Sequence, residues 1–147
     1  MPSILDNFST DNPVFSTYVF YTTVLIIKTL FMALLTVVHR VKNKAVASKE
    51  DSPKGIVLFS KDVERQRRAH LNDLENIPIF IIVAFLYTLT SPSTFIAVNL
   101  IRLFTLCRIV HTFVYAIYPT QPARGISFGI GILITFYMSF QVAIYFY

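Results

Sequence analysis

Charged and polar side chains are concentrated in residues 62–78, whose sequence is DVERQRRAHLNDLENIP. The segment reads as a helix, and it runs directly into the apolar stretch 77–89. An ionisable group beside or inside a membrane span is costly unless it pairs with another group or binds a ligand. This segment is therefore the first candidate for a functional site.

Helical spacing places polar residues of two segments on shared faces. On the second predicted helix, an i, i+4, i+7 pattern joins Arg68, Asn72 and Glu75. On the third, an i, i+3, i+7 pattern joins Arg108, His111 and Tyr115. The first helix ends near Arg40 and the fourth begins near Arg124. Polar groups of all four helices are thus predicted to meet at one end of a bundle, where helix bundles can build ligand sites.

The side chains of this set suit a small, polar, anionic ligand. Arginine binds carboxylates through two parallel hydrogen bonds, and Glu75 accepts from an ammonium. Asn72 and Tyr115 supply neutral hydrogen bonds. Surplus positive charge also lowers the pKa of a thiol, which is ordinarily about 8.5. A zwitterionic peptide thiol meets each of these requirements, whereas a phosphate ligand leaves Glu75 unexplained.

Other interpretations of these residues stay open at this point. A charged network could do no more than hold the helices together. A metal site would draw on His70, His111 and Glu75, but these lack the paired spacing of zinc motifs, and the nearby arginines repel a cation. An ion pathway needs polar residues along a whole span, whereas these gather at one end. No motif supports a Ser-His-Asp nucleophile.

The composition is that of a membrane protein. Hydrophobic residues make up 54% of the 147 residues and charged residues 14%, and the mean hydropathy is +0.60. A soluble domain has too little interior to bury so much apolar surface. The net charge of +5 does not indicate a nucleic-acid partner, because nine of the thirteen lysines and arginines lie between Arg40 and Arg68. Such clustering is typical of a basic loop between spans.

The hydropathy pattern predicts an all-α membrane protein, a single domain at residues 1–147 that forms a four-transmembrane-helix bundle. The spans are placed at about 14–38, 70–90, 94–117 and 124–147, with a cytosolic loop at about 39–62. Both termini then face the lumen or the exterior. Asp62 is predicted to cap the second helix, and Pro78 to kink that helix without ending it.

Three charged residues inside the predicted spans need partners. Lys28 is expected to meet a carboxylate on a neighbouring helix, either Asp73 or Glu75. Arg102 and Arg108 lie in one span, and each costs several kcal/mol if it faces lipid at mid-bilayer. Both arginines are therefore expected to face protein or a polar cavity.

Three segments, VERQRRAHLNDLENI, LFTLCRIVHTFVY and PTQPARGISF, together resemble the MAPEG family, the membrane-associated proteins in eicosanoid and glutathione metabolism. The resemblance covers about residues 40–128 and is most specific in the RRAHLNDLEN run. It implies a homotrimer of four-helix protomers, with glutathione bound between adjacent subunits near the cytosolic face. Glutathione would serve as co-substrate, and no metal is implied.

The resemblance also implies roles for individual residues. Those that would contact glutathione are Arg40, Arg68, Asn72, Glu75, His111 and Tyr115. Those that would line or support the same site are Arg67, His70 and Arg108. Arg124 would stabilise the thiolate, with help from the Tyr115 hydroxyl. These two residues are the predicted catalytic pair.

Departures from the family pattern favour its microsomal glutathione transferase branch. The prostaglandin E synthase branch has an arginine, a serine and a tyrosine where this chain has Leu71, Gly125 and Phe128. Ser52, in turn, replaces a cysteine through which thiol reagents activate the transferase. The resemblance implies conjugation of glutathione to hydrophobic electrophiles and reduction of lipid hydroperoxides, in the membrane of the endoplasmic reticulum or the outer mitochondrial membrane. The alternatives are a glutathione-dependent prostaglandin E synthase and a non-catalytic lipid-binding scaffold.

Overall fold

The computed structural model of the chain describes residues 8–46, 48, 50–52 and 59–147, so residues 47, 49 and 53–58 of the predicted cytosolic loop lie outside it. The described ranges contain four long helices and no strand: α1 (Pro13–Asn43), α2 (Lys61–Thr88), α3 (Thr94–Thr112) and α4 (Ala123–Phe146). A π-helical turn, Phe113–Ile117, continues α3. With that turn included, each helix is long and apolar enough to cross a membrane. The predicted fold class, an all-α bundle of four membrane helices, is confirmed.

The start of α2 differs from the prediction. Its cap is Ser60, whose Oγ accepts from the backbone N–H of Val63 at 3.5 Å. Ser60 has the extended backbone that a cap requires, whereas Asp62 already lies in the first helical turn. There the Asp62 carboxylate pairs with Arg65 at 2.9 Å, and a negative charge is favourable near a helix N-terminus. The assignment of Asp62 as the cap was wrong, but α2 does run through Pro78 without ending.

The core is a square arrangement in which α1 and α4 each pack on both α2 and α3. The helices α2 and α3 lie diagonally across the centre, where long side chains join them. Phe80 and Phe104 stack there with ring centroids 3.5 Å apart and planes 4° apart. Leu25 from α1 and Met138 from α4 are fully buried in the same cluster. Polar residues on the inner faces of α2 and α3 must therefore find partners across this diagonal.

The outer surface of the bundle is apolar. Phe20, Phe31, Leu133 and Phe136 are each at least 62% exposed. A water-soluble chain rarely presents so continuous an apolar surface, but lipid tails are as apolar as these side chains. The exposed surface therefore agrees with a bundle whose helices cross a membrane.

Candidate functional site

A buried network of polar side chains joins three helices across the bundle. Lys28 of α1 donates from its ammonium to Oδ2 of Asp73 on α2. Arg108 of α3 donates from Nη2 to Oδ1 of the same carboxylate at 2.6 Å. Asp73 and Arg108 are each 1% exposed. Lys28 thus pairs with a carboxylate as expected, and the partner is Asp73, not Glu75.

The network ends on a residue of the predicted site. Nη2 of Arg108 also donates to Oδ1 of Asn72 at 2.7 Å. This nitrogen carries two hydrogens, so one serves Asp73 and the other Asn72. Lys28, Asp73, Arg108 and Asn72 are called the inner network below. Arg108 meets the expectation that it faces protein, whereas Arg102 is exposed on the outside of the bundle.

His111 lies one turn beyond Arg108 and is also buried, with 2% of its surface exposed. Its Nδ1 has no hydrogen-bond partner among the described residues. The imidazole lies against Tyr115, with ring centroids 5.4 Å apart and planes at 50°. These two residues therefore extend the polar wall from Arg108 towards the C-terminal end of α3.

The π-helical turn fixes the backbone on either side of Tyr115. A π turn is wider than an α turn and is held by different hydrogen bonds, and such turns are frequent at functional sites. The side chain of Gln66, on α2, donates from Nε2 to the backbone oxygen of Ala116 at 3.0 Å. Gln66 is only 1% exposed, so α2 anchors this turn from inside the bundle.

Arg124 lies over the face of Tyr115. Its guanidinium carbon is 4.4 Å from the ring centroid, which is a cation–π contact. The Gln121 side-chain oxygen accepts from Nε and Nη2 of Arg124 at 3.2 and 2.7 Å, in the amide orientation that a donor-only guanidinium requires. Arg124 is the second residue of α4, so this contact brings the start of α4 to the end of α3. A cation is thereby held in place with part of its surface open.

The remaining predicted residues lie at the outside or the end of the bundle. Arg68 and Glu75 are exposed, and neither has a hydrogen bond or ion pair within the described part of the chain. We call Arg68, Glu75 and Arg102 the outer set. Arg67 forms a bidentate pair with Glu64 on the preceding turn, with both N···O distances at 2.8 Å. The last two predicted site residues, Arg40 and His70, are half-buried, and neither side chain has a hydrogen bond or ion pair in the described ranges.

Residues 18–144 match the sequence profile of the MAPEG family. The chain belongs to the MAPEG family. It is 37% identical to microsomal glutathione S-transferase 1 of Mus musculus over 140 residues, which is 90% of each chain. It is 36% identical to microsomal glutathione S-transferase 1 of Homo sapiens over 140 residues, again 90% of each chain. Prostaglandin E synthase of Macaca fascicularis is 32% identical over 135 residues, 89% of each chain.

This match confirms the resemblance to the MAPEG family that the RRAHLNDLEN run and the two later segments, LFTLCRIVHTFVY and PTQPARGISF, indicate. The sequence identity to the transferases exceeds that to the synthases. This agrees with the transferase branch, which the residues Leu71, Gly125 and Phe128 favour. No group of three or more His, Cys, Asp or Glu side chains in the described ranges could hold a metal ion.

The sequence alone led to no site role for Gln66, and Asp73 was named only as a possible partner for Lys28. A glutamine among many charges looks like a solvated residue, and the shared face drawn through Asn72 leaves Asp73 on another side of α2. A signal was nevertheless present in the spacing. The buried positions of α2 step by three or four residues from the core back into the charged segment: Phe80, Ile77, Asp73, Ala69 and Gln66. Extending the core face backwards would have found both.

Proposed function

We propose that the chain is a membrane-bound glutathione transferase that joins the thiolate of glutathione to hydrophobic electrophiles. Two comparisons support the proposal: 37% identity to a microsomal glutathione S-transferase over 90% of both chains, and lower identity to the synthases. The structural observation that carries it is the Arg124 guanidinium, held over Tyr115 at the end of a polar wall. A fixed cation beside a hydroxyl donor suits an anionic sulfur.

The proposed chemistry needs two residues at the thiolate. The Arg124 guanidinium stabilises the anionic sulfur and so lowers the pKa of the glutathione thiol from about 8.5. The Tyr115 hydroxyl donates a hydrogen bond to the same sulfur. Attack then falls on an electrophile that arrives from the lipid. The residues proposed to bind the rest of glutathione are Arg40, Arg67, Arg68, His70, Asn72, Glu75, Arg108 and His111.

A second reaction uses the same thiolate. It attacks the O–O bond of a lipid hydroperoxide, and with one proton the products are the lipid alcohol and a glutathione sulfenic acid. A second glutathione then displaces water from the sulfenic acid and forms glutathione disulfide. The oxidised sulfur thus balances the reduced peroxide. The proposal requires no metal and no redox cofactor.

The proposed assembly is a homotrimer in which adjacent subunits complete each site. Arg68 and Glu75 support this assembly because each is exposed on α2 and has no hydrogen bond or ion pair with the described residues of its own chain. A neighbouring subunit would enclose a ligand against them. The proposed location is the endoplasmic reticulum membrane, and the outer mitochondrial membrane suits the same topology. In either membrane the basic connection between α1 and α2 would face the cytosol.

The experiment has two stages. Glutathione binding to detergent-solubilised protein is first measured by calorimetry, and conjugation of an aryl halide is then followed by absorbance. We expect saturable binding and conjugation. Absence of binding would overturn the proposal and favour a non-catalytic lipid-binding scaffold.

The Arg124→Ala variant tests the mechanism within the same proposal. The fold should persist, because Arg124 is only half-buried and its neighbours are Tyr115 and Gln121. We expect the thiolate absorbance of bound glutathione to appear about one pH unit higher or more, since removing an adjacent cation raises the pKa of a thiol. Arg124→Lys is the matched control that retains the charge. An unchanged titration in the alanine variant removes Arg124 from the mechanism.

A second candidate function is the glutathione-dependent isomerisation of a prostaglandin endoperoxide. It is favoured by one observation, the 32% identity to prostaglandin E synthase of Macaca fascicularis over 89% of both chains. The two candidates separate when turnover of the endoperoxide is compared with turnover of an aryl halide at equal glutathione. Faster turnover of the endoperoxide would establish the second candidate.

A further inference from the structure

The inner network has a direction, because each contact in it constrains the next. Asp73 has two carboxylate oxygens, and a different cation occupies each: Lys28 takes Oδ2 and Arg108 takes Oδ1. If Oδ2 were free, Arg108 could take both oxygens in the bidentate fork that arginine and carboxylate favour. With Lys28 on Oδ2, Arg108 contacts only Oδ1, through one hydrogen of Nη2, and its Nε has no partner among the described residues. In this orientation the second hydrogen of Nη2 reaches another acceptor.

That acceptor is the side chain of Asn72, and the contact fixes which way its amide points. A guanidinium has only donors, so the atom that lies 2.7 Å from Nη2 of Arg108 must be the amide oxygen. The NH2 group of Asn72 is then turned away from Arg108. It has no partner among the described residues, and Asn72 is half-buried. Held in this way, Asn72 presents its two N–H donors on the side away from Arg108.

We propose that Lys28 and Asp73 are positioning residues of the glutathione site, acting through Arg108 to hold the Asn72 amide with its NH2 group towards the ligand. This inference rests on the proposed function, because it takes Asn72 as a glutathione contact. The ligand atom that Asn72 recognises is therefore an acceptor, either a carboxylate or a peptide carbonyl oxygen of glutathione. A network that only held α1, α2 and α3 together would leave glutathione binding independent of Lys28.

The first experiment is a double-mutant cycle on the Michaelis constant for glutathione. Lys28→Met removes the ammonium at similar length and leaves the Asp73–Arg108 pair in place. We expect this variant to raise the KM for glutathione about tenfold and to change kcat less than about twofold, as for loss of one charge-assisted hydrogen bond. In an Asn72→Ala background the same change should raise KM no further, because the group that it positions is gone.

A purely structural role gives a different pattern in that cycle. Lys28→Met would then lower the unfolding temperature in both backgrounds and would change KM by the same factor in each, or not at all. Either result overturns the inference. Asp62→Asn is the control. It removes an exposed carboxylate from the first turn of α2, the helix that carries Asn72 and Asp73, and should leave the KM for glutathione unchanged.

The second experiment replaces the NH2 donor of Asn72 with an acceptor oxygen. Its outcome does not depend on whether the Lys28→Met variant folds. Asn72→Asp has nearly the same shape, and its carboxylate pairs with Arg108 at least as well as the amide oxygen does. It has no hydrogen to offer the ligand, so we expect the unfolding temperature to be retained and glutathione affinity to fall at least about tenfold. Unchanged affinity in calorimetry contradicts the inference.

The two levels of proposal fail separately. If the unaltered protein does not bind glutathione, the proposed function fails and this inference fails with it. If the unaltered protein binds and conjugates glutathione while Asn72→Asp binds it equally well, only the inference fails.

Discussion

The inner network and the outer set lie on the same helices but meet their electrostatic needs differently. Asp73 and Arg108 are each 1% exposed, and they pair with each other and with Lys28 and Asn72, although Nε of Arg108 has no partner among the described residues. Glu75 is only two residues from Asp73, yet it is exposed and unpartnered within the described ranges. The carboxylate that faces inwards thus finds its partners within the chain, whereas the outer set has no hydrogen bond or ion pair among the described residues.

The difference follows from the cost of an unpaired charge away from water. Inside the bundle that cost is removed only by a partner with good geometry, and Asp73 receives two. On the outside of a membrane span the same cost applies to Arg102, and lipid tails offer no partner. The outer set therefore points to a bound ligand, a second subunit or lipid headgroups, and the proposed homotrimer would supply the first two together.

The largest effect on stability is expected at Asp73, in the inner network. Asp73→Asn leaves the half-buried Lys28 and the fully buried Arg108 without a counter-charge. We expect the free energy of unfolding to fall by about 3–5 kcal/mol, as for other buried pairs that lose one partner. Thermal unfolding in detergent measures this change. Glu75→Gln is the matched control on the same helix, and a similar loss in that variant would contradict the distinction between inside and outside.

The outer side is tested by the same Glu75→Gln variant with a different measurement. Since Glu75 has no partner within the described part of its own chain, its loss should leave the unfolding temperature unchanged. If Glu75 holds the ammonium of glutathione, affinity should fall at least about tenfold, because a charge-assisted hydrogen bond is lost. Calorimetry at fixed ionic strength measures the affinity. Unaltered binding would remove Glu75 from the proposed site.

Gln66 forms an inward-facing contact without charge, through its hydrogen bond to the backbone oxygen of Ala116. Gln66→Met leaves the Ala116 carbonyl unpaired inside the bundle, so we expect a loss of about 1–3 kcal/mol in stability. We also expect slower conjugation, since Tyr115 lies in the turn that this bond anchors. Asn99→Met is the control: its amide also donates to a backbone oxygen, that of Phe95, but on the exposed side of α3. Equal effects in both variants would contradict a role for the π-helical turn.

The smallest effect is expected at the exposed pair between Asp62 and Arg65. Asp62→Asn should change the free energy of unfolding by less than about 1 kcal/mol, because water and salt screen exposed ion pairs. Unfolding at low and high salt measures this difference. A loss as large as that of Asp73→Asn would mean that burial does not decide the worth of these pairs.

Much of the fold could be predicted because each span carries its own signal. A run of apolar residues long enough to cross a bilayer can be recognised without knowledge of its neighbours. The orientation inferred from the clustered basic residues stays a prediction. Five residues of the predicted site contact one another in two groups. Arg108 donates to Asn72, and Tyr115 contacts both His111 and Arg124. Their roles towards glutathione stay predictions until binding is measured.

The boundary of α2 shows where local signals compete. Ser60 and Asp62 are both good capping residues, and either can start a helix. Which one does so depends on where the preceding chain leaves its extended conformation. The sequence of the first turn does not contain that information.

What the sequence alone determined is the class of the protein and the supply of polar groups, because hydropathy and helical spacing are properties of each segment by itself. Only the tertiary structure decided that Lys28 pairs with Asp73 and not with Glu75. Two residues apart on a helix, these carboxylates point in nearly opposite directions, since each residue turns the helix by about 100°. The rotation of α2 settles which one faces inwards, and packing such as that of Phe80 on Phe104 sets this rotation.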